Sequence, residues 1–101
     1  MVCLLALLGF LGLTTPVGET CAATARCAEA CSPKDPQVSL EVCVARCAAR
    51  AEPTVARPLF DALQRCSKPA CGPRCVEPSS LTCRMCVLAS CSTEVGNCMA
   101  R

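Results

Sequence analysis

The most apolar stretch of the chain is its N-terminus, where residues 2–13 read VCLLALLGFLGL and the first charged side chain is Glu19. A helix of this length is too short to span a bilayer, which takes about 20 apolar residues. The length of the run and the Thr, Pro and Gly residues after it favour a signal peptide over residues 1–18, although no basic residue precedes it. A buried N-terminal helix and an uncleaved anchor are the two other interpretations.

After Glu19 the pattern changes to alanine-rich segments in which cysteines recur four residues apart. CAEAC (Cys27 to Cys31) and CVARC (Cys43 to Cys47) each place two cysteines on one face of a helix. If the two helices are antiparallel, Cys27 faces Cys47 and Cys31 faces Cys43. The pattern therefore predicts a disulfide-stapled helical hairpin over residues 19–52.

Helix-ending and helix-starting residues agree with this hairpin. Pro33 and Pro36 are expected to end its first helix and shape the turn, and Ser39 is the expected N-cap of a second helix that runs to about Arg50. Residues 53–58, PTVARP, begin with a proline that cannot continue a helix without losing a hydrogen bond. We expect them to form a short linker.

Residues 59–101 resemble a shortened second copy of the first half. LFDALQRC predicts a one-sided helix that ends at Cys66, and SLTCRMCVLASC, residues 80–91, predicts another helix capped by Ser79 or Ser80. Prolines in between favour a turn. The predicted fold class is all-α, a small disulfide-rich fold of two related helical hairpins.

The order of cysteine spacings is also kept in this second half, with a shorter loop. It is C-x5-C-x3-C-x11-C-x3-C in the first half and C-x4-C-x3-C-x7-C-x2-C in the second. The same facing argument pairs Cys71 with Cys86 and Cys75 with Cys83. The remaining cysteines are then expected to close the ends: Cys21, Cys66, Cys91 and Cys98.

Composition makes cross-links the expected source of stability. The chain has 13 cysteines among 101 residues and two aromatic residues, of which only Phe60 lies outside the apolar N-terminus. A core built mostly of alanine and cysteine buries little apolar area per residue, and each disulfide adds roughly 2–4 kcal/mol. Removal of Cys3 with a signal peptide leaves an even number of cysteines, as full pairing requires. The twelve predicted disulfide cysteines are Cys21, Cys27, Cys31, Cys43, Cys47, Cys66, Cys71, Cys75, Cys83, Cys86, Cys91 and Cys98.

The sequence offers little for metal or catalytic chemistry, since it contains no histidine. A four-thiolate zinc site is conceivable at Cys71, Cys75, Cys83 and Cys86, but C-x3-C is not a usual zinc spacing and export favours oxidation. The single C-x2-C lacks the strand context of a thioredoxin-like motif. A serine or cysteine nucleophile would lack its ordinary base. We therefore expect no catalytic residue, no metal and no cofactor.

The segment from Leu59 to Ala100 resembles small secreted cysteine-rich proteins, many of them lipoproteins, of myxobacteria and their relatives. The shared features are an aromatic helix before a cysteine, a C-x3-C turn, and a helix that ends in C-x-x-C before a later acidic and cysteine segment. This resemblance implies an extracellular or envelope location and a helical disulfide scaffold, and it implies no activity. The chain departs from the lipoprotein members because neither Cys3 nor Cys21 follows a convincing lipobox.

A second resemblance involves Phe60, Asp61 and Leu63. They are similar to the aromatic-Asp-x-Leu turn of cysteine-rich modules in tumour-necrosis-factor receptors that bind B-cell factors. The helical context around these residues and the lack of a membrane-spanning segment argue against it.

These observations predict a secreted, periplasmic or envelope-associated scaffold with a structural or binding role and no catalysis. Lys and Arg exceed Asp and Glu by only ten to eight, with the signs interspersed, so no nucleic-acid partner is expected. A protein partner would bind an exposed apolar face, for which Leu59, Phe60 and Leu63 are the candidates. The alternative is a toxin-like or inhibitory effector that acts through a loop, either residues 33–39 or residues 76–80.

Overall fold

The computed structural model of the protein describes residues 17–35 and 37–100, and within them it is an all-α fold, as predicted. The predicted signal peptide lies outside the described residues except for Val17 and Gly18, and so does Cys3. Five α-helices and one short 3₁₀ helix follow one another within these described residues. They are α1 (Cys21–Glu29), α2 (Leu40–Ala49), α3 (Ala56–Cys71), the 3₁₀ helix (Gly72–Cys75), α4 (Leu81–Ser90) and α5 (Ser92–Ala100).

Helices α1 and α2 form the predicted hairpin, which we call the first hairpin (residues 19–52). The Thr20 hydroxyl accepts a hydrogen bond from the N–H of Ala23 at 3.1 Å, which caps α1. The predicted cap of α2 is confirmed, since the Ser39 hydroxyl accepts from the N–H of Val42 at 3.2 Å. Each cap satisfies one of the N–H groups that the start of a helix leaves without a partner.

The two ends of the first hairpin meet in an isolated parallel bridge between Glu19 and Ala51. The N–H of Glu19 donates to the Arg50 carbonyl at 2.8 Å, and the N–H of Glu52 donates to the Glu19 carbonyl at 2.9 Å. Gly18 makes this approach possible, because its φ is 123° and a Cβ would lie 2.7 Å from the Glu52 backbone. A side chain at position 18 would meet both backbone strain and a clash.

The linker expected at residues 53–58 is shorter than predicted, because α3 already begins at Ala56. The cause is the buried side chain of Glu52, whose carboxylate accepts hydrogen bonds from the Thr54 hydroxyl and from the N–H groups of Thr54, Val55 and Ala56. A carboxylate at this place satisfies the free donors of the helix start and complements its dipole. Pro58 lies in the first turn, where its missing N–H costs nothing.

Helix α3 also ends later than predicted, at Cys71 instead of Cys66, and contains Pro69. A proline two residues before the helix end removes one hydrogen bond of the last turn and leaves the preceding turns intact. The turn expected around the C-x3-C spacing is observed as the 3₁₀ helix.

We call residues 56–100, from α3 to α5, the second unit. Helices α4 and α5 form its C-terminal part. Ser80 caps α4 through a bond from the Cys83 N–H at 3.1 Å, as predicted. Helix α5 was not predicted, and it forms despite Gly96 in its middle, which disfavours a helix. With three α-helices, the second unit is not a copy of the first hairpin.

The core is shared by the two units. Helix α1 packs on α3 and α5, whereas the main helix contact of α2 is with α1. Phe60 of α3 is the largest fully buried side chain. Small residues complete the cluster around it: Cys21, Ala25, Ala28, Ala51, Ala56, Leu63, Cys91 and Cys98.

Candidate functional site: the disulfide framework and an apolar groove

All twelve cysteines within the described residues are joined in disulfides, and the four predicted pairings are confirmed. In the first hairpin the bonds are Cys27–Cys47 and Cys31–Cys43. In the second unit they are Cys71–Cys86 and Cys75–Cys83. The four cysteines left to close the ends form Cys21–Cys98 and Cys66–Cys91.

This framework ties each helix from α1 to α5 to another helix. Cys21–Cys98 joins the start of α1 to α5 across 77 residues and so links the first hairpin to the second unit. Cys66–Cys91 joins α3 to the junction of α4 and α5. The four sulfurs considered for zinc are bonded in pairs and therefore lack the thiolates that zinc requires.

The two disulfides of the first hairpin lie in contact with each other. The Sγ atoms of Cys31 and Cys47, which belong to different bonds, are 4.0 Å apart. Cys31, Cys43 and Cys47 have sulfurs within 4.8 Å of one another, and no other trio consisting only of cysteines does so among the described residues. Nη2 of Arg50 lies 3.2 Å from the Sγ of Cys27.

An open apolar groove of about 940 Å³ is lined by residues of all five α-helices. Ala25 and Ala28 come from α1, and Val44 and Ala48 come from α2. The apolar lining residues of the second unit include Phe60, Leu63, Val87, Leu88, Val95 and Met99. The groove therefore lies where α2, which packs mainly on α1, leaves the second unit uncovered.

The prediction that Leu59, Phe60 and Leu63 form an exposed binding face is wrong. Phe60 is 2% exposed and Leu63 is 8% exposed, and both belong to the core, while Leu59 is partly buried against it. The one-sided pattern of α3 was correctly identified, but a chain with so few large side chains needs that face for its own core. Phe60 and Leu63 reach the groove only as part of its lining.

The exposed apolar face that sequence reasoning missed is on α4. Leu81, Met85 and Leu88 are 69%, 61% and 55% exposed, and their spacing of four and three residues places them on one side of the helix. Leu88 also lines the groove, together with the half-exposed Met99 of α5. The spacing was visible in the sequence, but the side of α4 that faces the core was not.

The two loops proposed as effector surfaces lie beside each other. Nζ of Lys34 in the first loop is 3.7 Å from Oε1 of Glu77 in the second. A second ion pair between the units, Arg84 to Glu29 at 3.8 Å, lies at the rim of the groove. Both pairs are exposed, so they align the units more than they stabilise them.

None of the helices within residues 17–35 and 37–100 is long and apolar enough to cross a membrane. Comparisons of the chain with models of protein families, with curated proteins and with solved structures found no significant match.

Proposed function

We propose that the protein is an exported, disulfide-rich scaffold of the cell envelope or extracellular space, with a binding role and no catalysis of its own. The observation that carries this proposal is the complete pairing of the twelve described cysteines. Such bonds persist in oxidising compartments and are rare where cytosolic thiols keep cysteines reduced. The apolar N-terminal run, as a signal peptide, supplies a route to such a compartment. The resemblance to secreted cysteine-rich proteins of myxobacteria supports the same location.

The groove supports the binding role. Its volume is in the range of ligand sites, and its rigid helical walls are cross-linked, so binding costs little ordering of the protein. Val44 and Ala48 on one side and Val87, Leu88 and Met99 on the other form the pattern that receives an amphipathic helix. The partner we propose is therefore a protein helix with an apolar face.

Mass spectrometry of the exported protein tests the scaffold. The mature chain should weigh about 12 Da less than its reduced form, since each of six bonds removes two hydrogens. It should take up no alkylating reagent until it is reduced. Free thiols in the exported protein would contradict the proposal, and the same spectrum gives the site of signal cleavage.

A helical peptide tests the groove. The probe is a fluorescent amphipathic peptide with leucines at positions i, i+3, i+4 and i+7. We expect Met99→Lys, in the groove, to weaken peptide binding by roughly tenfold. The matched control is Met85→Lys, because Met85 is also exposed but does not line the groove. Equal binding by both variants, or no binding by the wild type, would count against this partner.

The effector alternative is favoured by one observation, the Lys34–Glu77 ion pair, which joins the two candidate loops into one polar surface. A growth-inhibition assay on bacteria distinguishes the two functions. Inhibition that is lost when both residues are replaced by alanine and is kept in Met99→Lys would support the effector. No inhibition by the wild-type protein would count against it.

A further inference from the structure

The first hairpin brings two disulfides together so that their buried sulfurs touch. Cys31 is 4% exposed and Cys47 is 2% exposed, and their sulfurs are the pair separated by 4.0 Å. Their bonded partners, Cys43 and Cys27, are more accessible. We call Cys27 and Cys43 the outer cysteines, and Cys31 and Cys47 the inner cysteines. A thiol from solution therefore reaches an outer sulfur first, and the inner sulfur that is then released already lies against the other bond.

We propose that these two bonds form a single thiol–disulfide exchange unit, in which a two-electron reduction leaves a new Cys31–Cys47 bond and free thiols at Cys27 and Cys43. The reductant is a low-molecular-weight thiol, two molecules of which supply the electrons and become its disulfide.

Exchange starts at either accessible sulfur. A reductant thiolate that attacks Cys43 forms a mixed disulfide there and releases the Cys31 thiolate. That thiolate attacks the sulfur of Cys47, forms the Cys31–Cys47 bond and expels the Cys27 thiolate, which takes a proton from water. A second reductant thiolate then attacks the reductant's own sulfur in the mixed disulfide and frees Cys43.

Attack at Cys27 gives the same product by the mirror route. It releases the Cys47 thiolate, which attacks Cys31 and expels Cys43. Both routes end with a Cys31–Cys47 bond, because these two sulfurs of separate bonds are in contact at 4.0 Å and both are buried.

Charge favours this product. A thiolate at the buried Cys31 or Cys47 is costly, whereas Cys27 and Cys43 are partly exposed. At Cys27 the guanidinium of Arg50, 3.2 Å from Sγ, also stabilises the thiolate. The backbone adjustment that a diagonal bond requires falls on Cys31, which lies beyond the last residue of α1.

Partial reduction of the wild-type protein tests the proposal directly. The oxidised protein is treated with a limiting amount of 2-mercaptoethanol, trapped with N-ethylmaleimide and digested. Species with two labels in the first hairpin should carry them on Cys27 and Cys43, together with a cross-linked Cys31–Cys47 peptide pair. Labels on Cys31 and Cys43, or on Cys27 and Cys47, would overturn the proposal.

Variants in which one cysteine is replaced by serine test the exchange without a reductant. In Cys43→Ser the label should appear mainly on Cys27 instead of the orphaned Cys31, and in Cys27→Ser mainly on Cys43 instead of Cys47. A label that stays on the orphaned partner in both variants would refute exchange.

The second unit supplies the matched control. In Cys83→Ser the label should stay on the orphaned Cys75, because no trio of sulfurs in that unit lies within 4.8 Å. Migration of the label there too would show that exchange does not depend on the sulfur contact and would overturn the geometric argument.

The stabilisation of the Cys27 thiolate by Arg50 can be tested separately. In the Cys43→Ser background, Arg50→Gln should lower the ratio of label on Cys27 to label on Cys31 by roughly tenfold, as expected for loss of a hydrogen bond to a charged group. Arg50→Lys should restore part of the ratio. In the Cys27→Ser background the same changes should leave the distribution between Cys43 and Cys47 unaltered. An effect in both backgrounds, or in neither, would contradict the role of Arg50.

Discussion

The first hairpin and the second unit each contain two helix-to-helix disulfides made by the same facing pattern, yet different forces hold them. In the second unit, α3 supplies Phe60 and Leu63 to the core. In the first hairpin, Cys47 is the one buried residue of α2, and only Val44 and Ala48 of that helix pack at the edge of the core. Covalent bonds thus replace apolar packing in α2, whereas in α3 they supplement it.

This difference explains where the groove and the exchange unit occur. A helix held by two adjacent bonds does not need to cover the second unit, so the groove stays open beside it. The same adjacency brings sulfurs of separate bonds into contact.

Removal of both disulfides within a region should have the largest effect. The bonds of the first hairpin close separations of 20 and 12 residues, and each is worth roughly 3 kcal/mol. With all four of these cysteines changed to serine, α2 should lose its amide protection in hydrogen exchange. The matched variant changes Cys71, Cys75, Cys83 and Cys86, and there α3 should keep its protection around Phe60. Equal loss in both helices would refute the comparison.

Phe60→Ala, in the second unit, should give the next largest loss of stability. Removal of a fully buried ring costs about 3–5 kcal/mol through lost burial and the cavity left behind. Urea unfolding of the oxidised protein measures this loss. Leu81→Ala is the control, because Leu81 is 69% exposed and should change stability by less than about 0.5 kcal/mol. Similar values for the two variants would contradict the central place of Phe60.

The helix caps allow a closer comparison of the two regions. Ser39→Ala and Ser80→Ala remove the same type of hydrogen bond from α2 and α4, and each should cost about 1 kcal/mol globally. Local protection should fall more in α2, because that helix has less apolar packing to hold its first turn. Hydrogen exchange of the first-turn amides measures the difference, and Ser→Thr variants serve as controls that retain the cap. A greater fall in α4 would reverse the comparison.

The junction between the two regions should be sensitive to acid. The hydrogen bond from the Thr54 hydroxyl, with those from the N–H groups of Thr54, Val55 and Ala56, lowers the pKa of Glu52 from 4.5 to about 2. Because the pKa is lower in the folded state, the contribution of the carboxylate is present above pH 4.5 and is lost as the pH falls towards 2. Glu52→Gln should flatten that part of the stability profile measured by urea unfolding. Identical acid profiles for wild type and variant would show that Glu52 does not link the regions in this way.

Much of the helical framework could be predicted because it depends on local rules. Cysteines four residues apart share a helix face, and Ser39 and Ser80 precede segments that need an N-cap. The start of α3 could not be predicted this way, because Glu52 acts as its cap only after the Glu19–Ala51 bridge has placed it. Helix α5 also escaped prediction, since Cys98 is drawn into the core by a bond to a cysteine 77 residues away.

In the candidate site, too, some features follow from local sequence rules and others depend on tertiary packing. The sequence by itself determined an all-α scaffold, four of the six cross-links and the apolar side of α3, because each follows from spacing along a helix. Only the tertiary structure decided that Phe60 and Leu63 face the core, that the exposed stripe is Leu81, Met85 and Leu88, and that the sulfurs of Cys31 and Cys47 touch. The physical reason is that periodicity identifies which residues share a face, whereas the packing of the other helices decides which face is buried.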